Sequence, residues 1–357
     1  MLQDRILRAR DLMGRLHLDA LLVTSPPNIR YLSGFTGSEG VLILTHDANW
    51  LLVDGRYITQ AQEQAPLSEA LCYKQKGKAV CTILQDCAVK TCGFESERMS
   101  VAVHGSLHSG LKAIELVPLA AELDDLRQLK DPAEIEQLAA TAALASQALL
   151  QIVSTMVPGQ TERELALALE FAMKRAGAEG IAFDFIVASG ERGALPHGRA
   201  SDKTIQRGEL VTVDFGAVCN GYHSDETVTV AVGSTDARQR EIYGVVKEAH
   251  DLALSAVRPG VTLAGLDVIA RDHIAGKGYG EYFGHGLGHG VGLEIHENPV
   301  LNSQSRAIAQ EGMVFTVEPG IYIPGWGGIR IEDTVVVTAD GCHLLTKVDK
   351  SLMVVAG

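Results

Sequence analysis

The residues best suited to chemistry are acids set into apolar strands. Asp214 stands in Leu-Val-Thr-Val-Asp-Phe-Gly, where an unpaired buried charge is costly. Asn220-Gly221 is a hairpin-turn signal between two strand-like runs. In an unbulged hairpin with an even-numbered loop, Asp214 and Asp225 project from one face, because strand side chains alternate with a period of two. Two carboxylates that close repel each other unless one is protonated or a cation lies between them. Two solvated aspartates on an exposed face are the plainer alternative. Glu318, in Thr316-Val317-Glu318-Pro319-Gly320, and Glu332, in Ile329-Arg330-Ile331-Glu332-Asp333, interrupt apolar strands in the same way. An ion pair with Arg330 is the plainer role for Glu332. Between these pairs runs a glycine-rich segment, Phe283 to Gly292, carrying His285 and His289, with His296 just beyond in Glu294-Ile295-His296-Glu297. Its glycines predict a backbone that approaches a ligand closely. Imidazole is the commonest protein metal ligand, although the spacing is neither that of a zinc finger nor the helical His-Glu-x-x-His. Together Asp214, Asp225, His289, Glu318 and Glu332 form a set of four carboxylates and one imidazole, which suits Mn²⁺, Co²⁺ or Zn²⁺. Four carboxylates overcharge one divalent ion. Two ions, roughly 3.5–4 Å apart and sharing carboxylates, would balance them and support hydrolysis.

The elements that must position these residues are readable in outline. Leu2, Ile6, Ala9, Met13 and Leu16 recur at helical spacing. Short apolar strands follow at Ala20–Val23, Val41–Thr45 and Trp50–Val53, so the first third reads as a small α/β domain. A domain boundary is expected between Ala120 and Lys130. Asp131-Pro132 then opens a helix, with Asp as N-cap and Pro at the first helical position. Ile135, Leu138, Ala142, Ala145 and Leu149 form its apolar face. The remainder contains an internal repeat. Pro158-Gly159-Gln160-Thr161 returns as Pro259-Gly260-Val261-Thr262, and Gly208 to Gly216 returns as Gly312 to Gly320, with an acid, Asp214 or Glu318, at the same place in each. Thr161 with Glu164 is a capping-box signature. Two related halves facing each other would each deliver an acid to a site between them.

Composition sets limits. The net charge of −13 argues against nucleic acid as a partner. No run approaches the roughly 18–20 apolar residues of a membrane span. Asp4 and Asp11 interrupt any signal-peptide pattern, so a cytoplasmic location is expected. Cys72, Cys81, Cys87 and Cys92 lie close together in sequence; a disulfide or metal cluster is open there, with reduced thiols the plainer reading.

At these four acids and one histidine the sequence resembles the pita-bread metallopeptidases, the family of methionine aminopeptidase, prolidase and aminopeptidase P, whose ligands occur in this order. Asn28-Ile29-Arg30-Tyr31-Leu32-Ser33-Gly34-Phe35 resembles the creatinase-like domain of the prolidase and aminopeptidase P branch. The resemblance implies an α/β creatinase-like N-terminal domain over residues 1–125. An α+β pita-bread catalytic domain with pseudo-twofold symmetry would follow over residues 126–357. It implies an enzyme that hydrolyses the Xaa-Pro bond at peptide N-termini: an Xaa-Pro dipeptidase (prolidase), favoured by size, or else an aminopeptidase P-like enzyme acting on longer peptides. Asp214 would chelate one metal ion and His289 with Glu318 the other, while Asp225 and Glu332 bridge. Mn²⁺ is the leading choice, with Co²⁺ or Zn²⁺ as alternatives. Glu318 would assist proton transfer, and His296 would stabilise the oxyanion or the proline side. His197, in Leu195-Pro196-His197-Gly198, would face substrate, and His285 would line the pocket or relay protons. Tyr322 and Arg330 would serve the substrate side, Arg330 also orienting carboxylates. A homodimer is expected, with the N-terminal domain closing the site or forming the dimer. One departure stands out: Val300 occupies the place where prolidases of this size often carry an arginine for the dipeptide carboxylate. A metal-free creatinase-like amidinohydrolase and a catalytically dead peptide-binding module are the competing readings. The complete ligand set counts against both.

Overall fold

A computed structural model describes residues 2–355. The chain divides into two compact units, one running to Arg127 and the other beginning at Gln128. In the first, helices α1 (Leu2–Leu16), α2 (Pro26–Ser33), α3 (Ile58–Gln64), α4 (Lys76–Asp86) and α5 (Val101–Gly110) alternate with strands β1 (Ala20–Val23), β2 (Val41–Thr45), β3 (Asn49–Val53), β4 (Glu69–Cys72), β5 (Thr91–Glu95) and β6 (Glu115–Leu119). They form one sheet in the order β4-β3-β2-β1-β5-β6. Strands β1 to β3 pair antiparallel, and the outer strands join parallel. Every residue of β1 is buried, as expected of a central strand covered on both faces. The first helix buries Ile6, Ala9 and Met13 as its spacing predicts. The six cysteines are free thiols.

The second unit holds α6 (Pro132–Val153), α7 (Glu162–Arg175), α8 (Ala237–Ala256) and α9 (Leu263–Gly276). Its strands are β7 (Gly180–Ile181), β8 (Ile186–Ser189), β9 (Leu210–Phe215), β10 (Ala217–Cys219), β11 (Tyr222–His223) and β12 (Glu226–Val232), then β13 (Gly288–Gly290), β14 (Glu297–Leu301), β15 (Val314–Val317), β16 (Gly320–Ile323), β17 (Gly327–Arg330), β18 (Asp333–Val337), β19 (Cys342–Leu344) and β20 (Val354–Val355). Asp131 caps α6 reciprocally with Glu134, and Thr161 caps α7 with Glu164, each satisfying orphan N–H groups of a first turn.

The internal repeat is a repeat of structure. Thr161 and Thr262 cap the second helix of each half and bridge Thr204 and Ile308. Gly208 and Gly312 both take a φ of 86° and donate to the last residue of the paired strand, Val232 or Val337. β9 pairs with β12, and β15 with β18, both antiparallel. Strand alternation then sorts the side chains. Val211, Val213, Phe215, Val228 and Val230 pack on Leu149, Leu165 and Leu169 of α6 and α7. Phe315, Val317, Val335 and Val337 pack on Val246, Ala249 and Leu266 of α8 and α9. The opposite faces carry Thr212, Asp214, Thr227, Thr229, Thr316 and Thr334, and these inner faces meet. Thr227 pairs with Glu332 in an isolated bridge, Thr229 bonds Arg330 through N–H and C=O, and Thr334 Oγ1 donates to Asp225 O at 2.7 Å.

Candidate metal centre

The hairpin around Asn220-Gly221 keeps one register from its turn into the main sheet: Val218 faces His223, Phe215 faces Glu226 and Asp214 faces Thr227. Asp225, two residues before Thr227, therefore shares the face of Asp214. In the other half Glu318 follows β15 and Glu332 precedes β18. The four acids converge where the inner faces meet. A cavity of 490 Å³ in this unit is lined by all four, together with His197, His285, His289, His296 and Arg330. Tyr322 stands behind that wall.

His289 Nδ1 lies 3.1 Å from Gly290 O. A carbonyl only accepts, so Nδ1 carries the proton and Nε2 presents a lone pair. That Nε2 lies 3.4 Å from Asp225 Oδ2 and 3.5 Å from Glu318 Oε1. Ligand atoms of Asp225, His289 and Glu332 fall within 4.8 Å of one another. Three of the acids are also held by side-chain hydrogen bonds. Arg330 Nη2 bonds Asp214 Oδ2 at 2.6 Å, Thr227 Oγ1 bonds Glu332 Oε2 at 2.6 Å, and Thr316 Oγ1 bonds Glu318 Oε1 at 3.2 Å. Asp214 Oδ1 is buried and has no hydrogen-bond partner among the described residues.

The electrostatics suit a bound cation. Burial, then repulsion from Glu332, Asp214 and Glu318, pushes the Asp225 carboxyl far above the usual range. Glu332 is raised in the same way by burial and by Glu318 and Asp214. Burial lifts Glu318 to about 8. Acids this close do not all ionise unaided, and a buried carboxylate oxygen without a partner suits a cation. Asp214, Asp225, His289, Glu318 and Glu332 could thus hold divalent metal.

The outer residues support these. Arg330 spends its donors on Asp214, Thr227 Oγ1, Pro196 O and Tyr322 Oη. Tyr322 Oη donates in turn to His285 Nε2 at 2.8 Å, while His285 Nδ1 bonds Gly286 O. Burial lowers His285 to about 4, so it stays neutral. Arg330 and Tyr322 thereby brace the wall. The His296 ring lies 4.2 Å from that of His289, and both His197 and His296 are exposed to the cavity.

The glycines have a packing role that their sequence does not announce. A Cβ at Gly288 would come within 2.1 Å of Thr316 O, and one at Gly290 within 2.4 Å of Asn298 O. They admit neighbouring strands, and Gly286 and Gly288 also line the cavity. Sequence reasoning also missed Asp267 and Arg271 on α9. Asp267 Oδ1 accepts from Leu287 N at 3.0 Å, and Arg271 donates to Phe283 O and His285 O, pinning the histidine segment. Thr227 and Thr316 were findable, since each lies two residues from an acid and so on its face of the strand.

Residues 136–339 match the profile of metallopeptidase family M24, and residues 5–129 match the creatinase/prolidase N-terminal domain. An Xaa-Pro dipeptidase of Pyrococcus furiosus is 40% identical over 99% of this chain and 100% of its own. The solved structure of an Xaa-Pro dipeptidase from Bacillus anthracis superposes with a TM-score of 0.96 at 39% identity, covering 99% of this chain and 100% of its own. That of an X-Pro aminopeptidase from Thermotoga maritima gives 0.91 at 39% identity, covering 96% and 99%.

Proposed function

Because the chain belongs to metallopeptidase family M24, we propose that it hydrolyses the peptide bond preceding proline at the N-terminus of short peptides, as an Xaa-Pro dipeptidase. The observation that carries this is the convergence of three buried acids, the half-buried Glu318 and the His289 Nε2 lone pair, with Asp214 Oδ1 left unpartnered. Asp214, Asp225, His289, Glu318 and Glu332 would hold two divalent ions. Mn²⁺ is the first choice among oxygen-rich partners, and Co²⁺ and Zn²⁺ are the alternatives. Such a pair supplies Lewis acidity and an acidified water for attack on the carbonyl.

The chain's own groups supply the rest. Glu318, bonded at Oε1 by Thr316, takes a proton from the attacking water and returns it to the departing imino nitrogen. His296 and His197, exposed on the cavity wall, donate to the oxygen on which charge develops. Arg330 and Tyr322 hold Asp214 and His285 in place, so that neither must reorganise during reaction. The family resemblance also supports a homodimer, which light scattering of the purified protein tests, and the N-terminal sequence supports a cytoplasmic location. No helix among the described residues is long and apolar enough to cross a membrane.

A matched pair, an Xaa-Pro dipeptide and an Xaa-Pro-Xaa tripeptide, tests the reading in the presence of Mn²⁺, Co²⁺ or Zn²⁺ and with a chelator. Metal-dependent cleavage of the dipeptide is expected. Release of the first residue from the tripeptide alone would make the enzyme an aminopeptidase instead, the second reading that the Thermotoga maritima neighbour favours. Cleavage of neither would overturn both.

A further inference from the structure

We infer that Arg199 is the anchor for the free C-terminal carboxylate of a dipeptide substrate; the inference rests on the Xaa-Pro reading above. Its starting point is register. Ile186 of β8 pairs with Asp214 on one side and bridges Arg199 on the other. Residues directly across a ladder point to the same face. Asp214, Ile186 and Arg199 therefore stand abreast, and all three line the cavity. Two strand spacings, about 10 Å between the outer Cα atoms, separate the candidate metal ligand from the arginine.

The segment that carries Arg199 is firmly fixed. Glu162 is fully buried and accepts from Ser189, Ser201 and Arg192. Arg192 uses its other arm to bond Arg199 O at 2.8 Å, and Arg199 N bonds His197 O at 2.9 Å. The stem of the side chain thus leaves from a held backbone. At the tip, Nη1 lies 3.0 Å from Asp184 Oδ2, and 76% of the Arg199 side chain is exposed. An ion pair that open adds little stability. It orients the guanidinium and leaves further N–H donors for a ligand, in a planar fork that fits a carboxylate.

Of the two arginines that line the cavity, Arg199 is the exposed one. Arg330 is the second arginine on the cavity wall, and its donors are committed to Asp214, Thr227, Pro196 and Tyr322. Val300 faces His289 across β13 and β14 and carries no charge. An anchor at Arg199 makes the enzyme read the carboxylate next to the scissile bond, and so selects dipeptides over longer or amidated chains.

The test compares Xaa-Pro with its C-terminal amide, Xaa-Pro-NH₂, for wild type, Arg199→Ala and Arg199→Lys under metal-replete conditions. Wild type should prefer the acid. Arg199→Ala should lose about ten- to a hundredfold in kcat/KM on the acid, the scale of a charge-assisted hydrogen bond. That loss should fall in KM and be much smaller on the amide, with Arg199→Lys restoring part of it. An unchanged melting temperature would confirm that the exposed pair is not structural. Equal losses on acid and amide, or no loss, would overturn the anchor. Wild-type turnover of the amide as fast as the acid would overturn it too, while leaving the Xaa-Pro reading intact. Turnover of neither would bring down that reading and the anchor with it.

Discussion

Thr227 and Thr316 hold Glu332 and Glu318 by short bonds from positions on the same strand faces. Groups of this kind fix the direction of a ligand, and their loss typically costs about ten- to a hundredfold in metal affinity. Thr227→Val should therefore weaken metal binding on that scale in a calorimetric titration of metal-free protein. Unchanged affinity would remove Glu332 from the ligand set. Asp225→Asn or Glu332→Gln should abolish turnover, and wild-type activity in either variant at full metal loading would contradict the assignment. His285 makes a separate prediction. Burial lowers its pKa from 6.5 to about 4, so below pH 6.5 the unfolded chain takes up a proton there that the folded chain refuses. The stability this residue leaves intact above pH 6.5 is then lost as pH falls towards 4, by roughly 3 kcal/mol in full. Denaturant midpoints of wild type and His285→Asn should diverge in this sense between pH 7 and 4. Parallel curves would mean that His285 titrates normally.

At the scale of elements, the sequence is most legible where structure is local. The caps at Asp131 and Thr161 were visible because side chain and backbone partner lie three residues apart. The Asp214–Asp225 juxtaposition was visible because one unbroken register links them through a two-residue turn. The repeat was visible because Pro-Gly-x-Thr and the acid-ended strand recur in order. What escaped notice depends on distant pairing. Glu226 and Asp333 follow Asp225 and Glu332 in sequence and so point to the helix side, where both meet Lys350 Nζ, at 2.5 and 3.0 Å. His250 joins Asp333, and Ser146 joins Glu226. Nothing near Lys350 in sequence announces that role, since its partners lie 124 residues away in one case. This buried cluster ties β12 to β18 directly behind the candidate metal ligands. Lys350→Met leaves two buried acids facing each other without their cation, which should cost about 3–5 kcal/mol. Denaturant unfolding measures it, and a loss under 1 kcal/mol would show that the cluster is not a brace.

At the scale of the molecule, the ligands come from both halves of the second unit: Asp214 and Asp225 from the first half, and His289, Glu318 and Glu332 from the second. Each half has a large hydrophobic cluster behind it, a smaller one joins α6 to β15 and β18, and the first unit has its own core around Leu22, Ile43 and Leu84. A cation held between the halves therefore acts as a cross-link that exists only in the folded state. Anything that binds the native state alone stabilises it by mass action, by about 2.7 kcal/mol at a hundredfold excess over its dissociation constant. For a unit of this size that corresponds to a melting shift of about 5–10 °C, so chelation should lower the melting temperature by that order and Mn²⁺ should restore it. The location of the effect is the sharper part of the prediction. Hydrogen exchange should slow on adding metal in β9, β12, β15 and β18, where opening must break the cross-link, and stay the same in β1, β2 and β3, whose sheet carries none of the ligands. Protection confined to one half would mean that the metal is held by that half alone. Protection spread equally over the first unit's sheet would mean that the stabilisation arises from something other than these five residues.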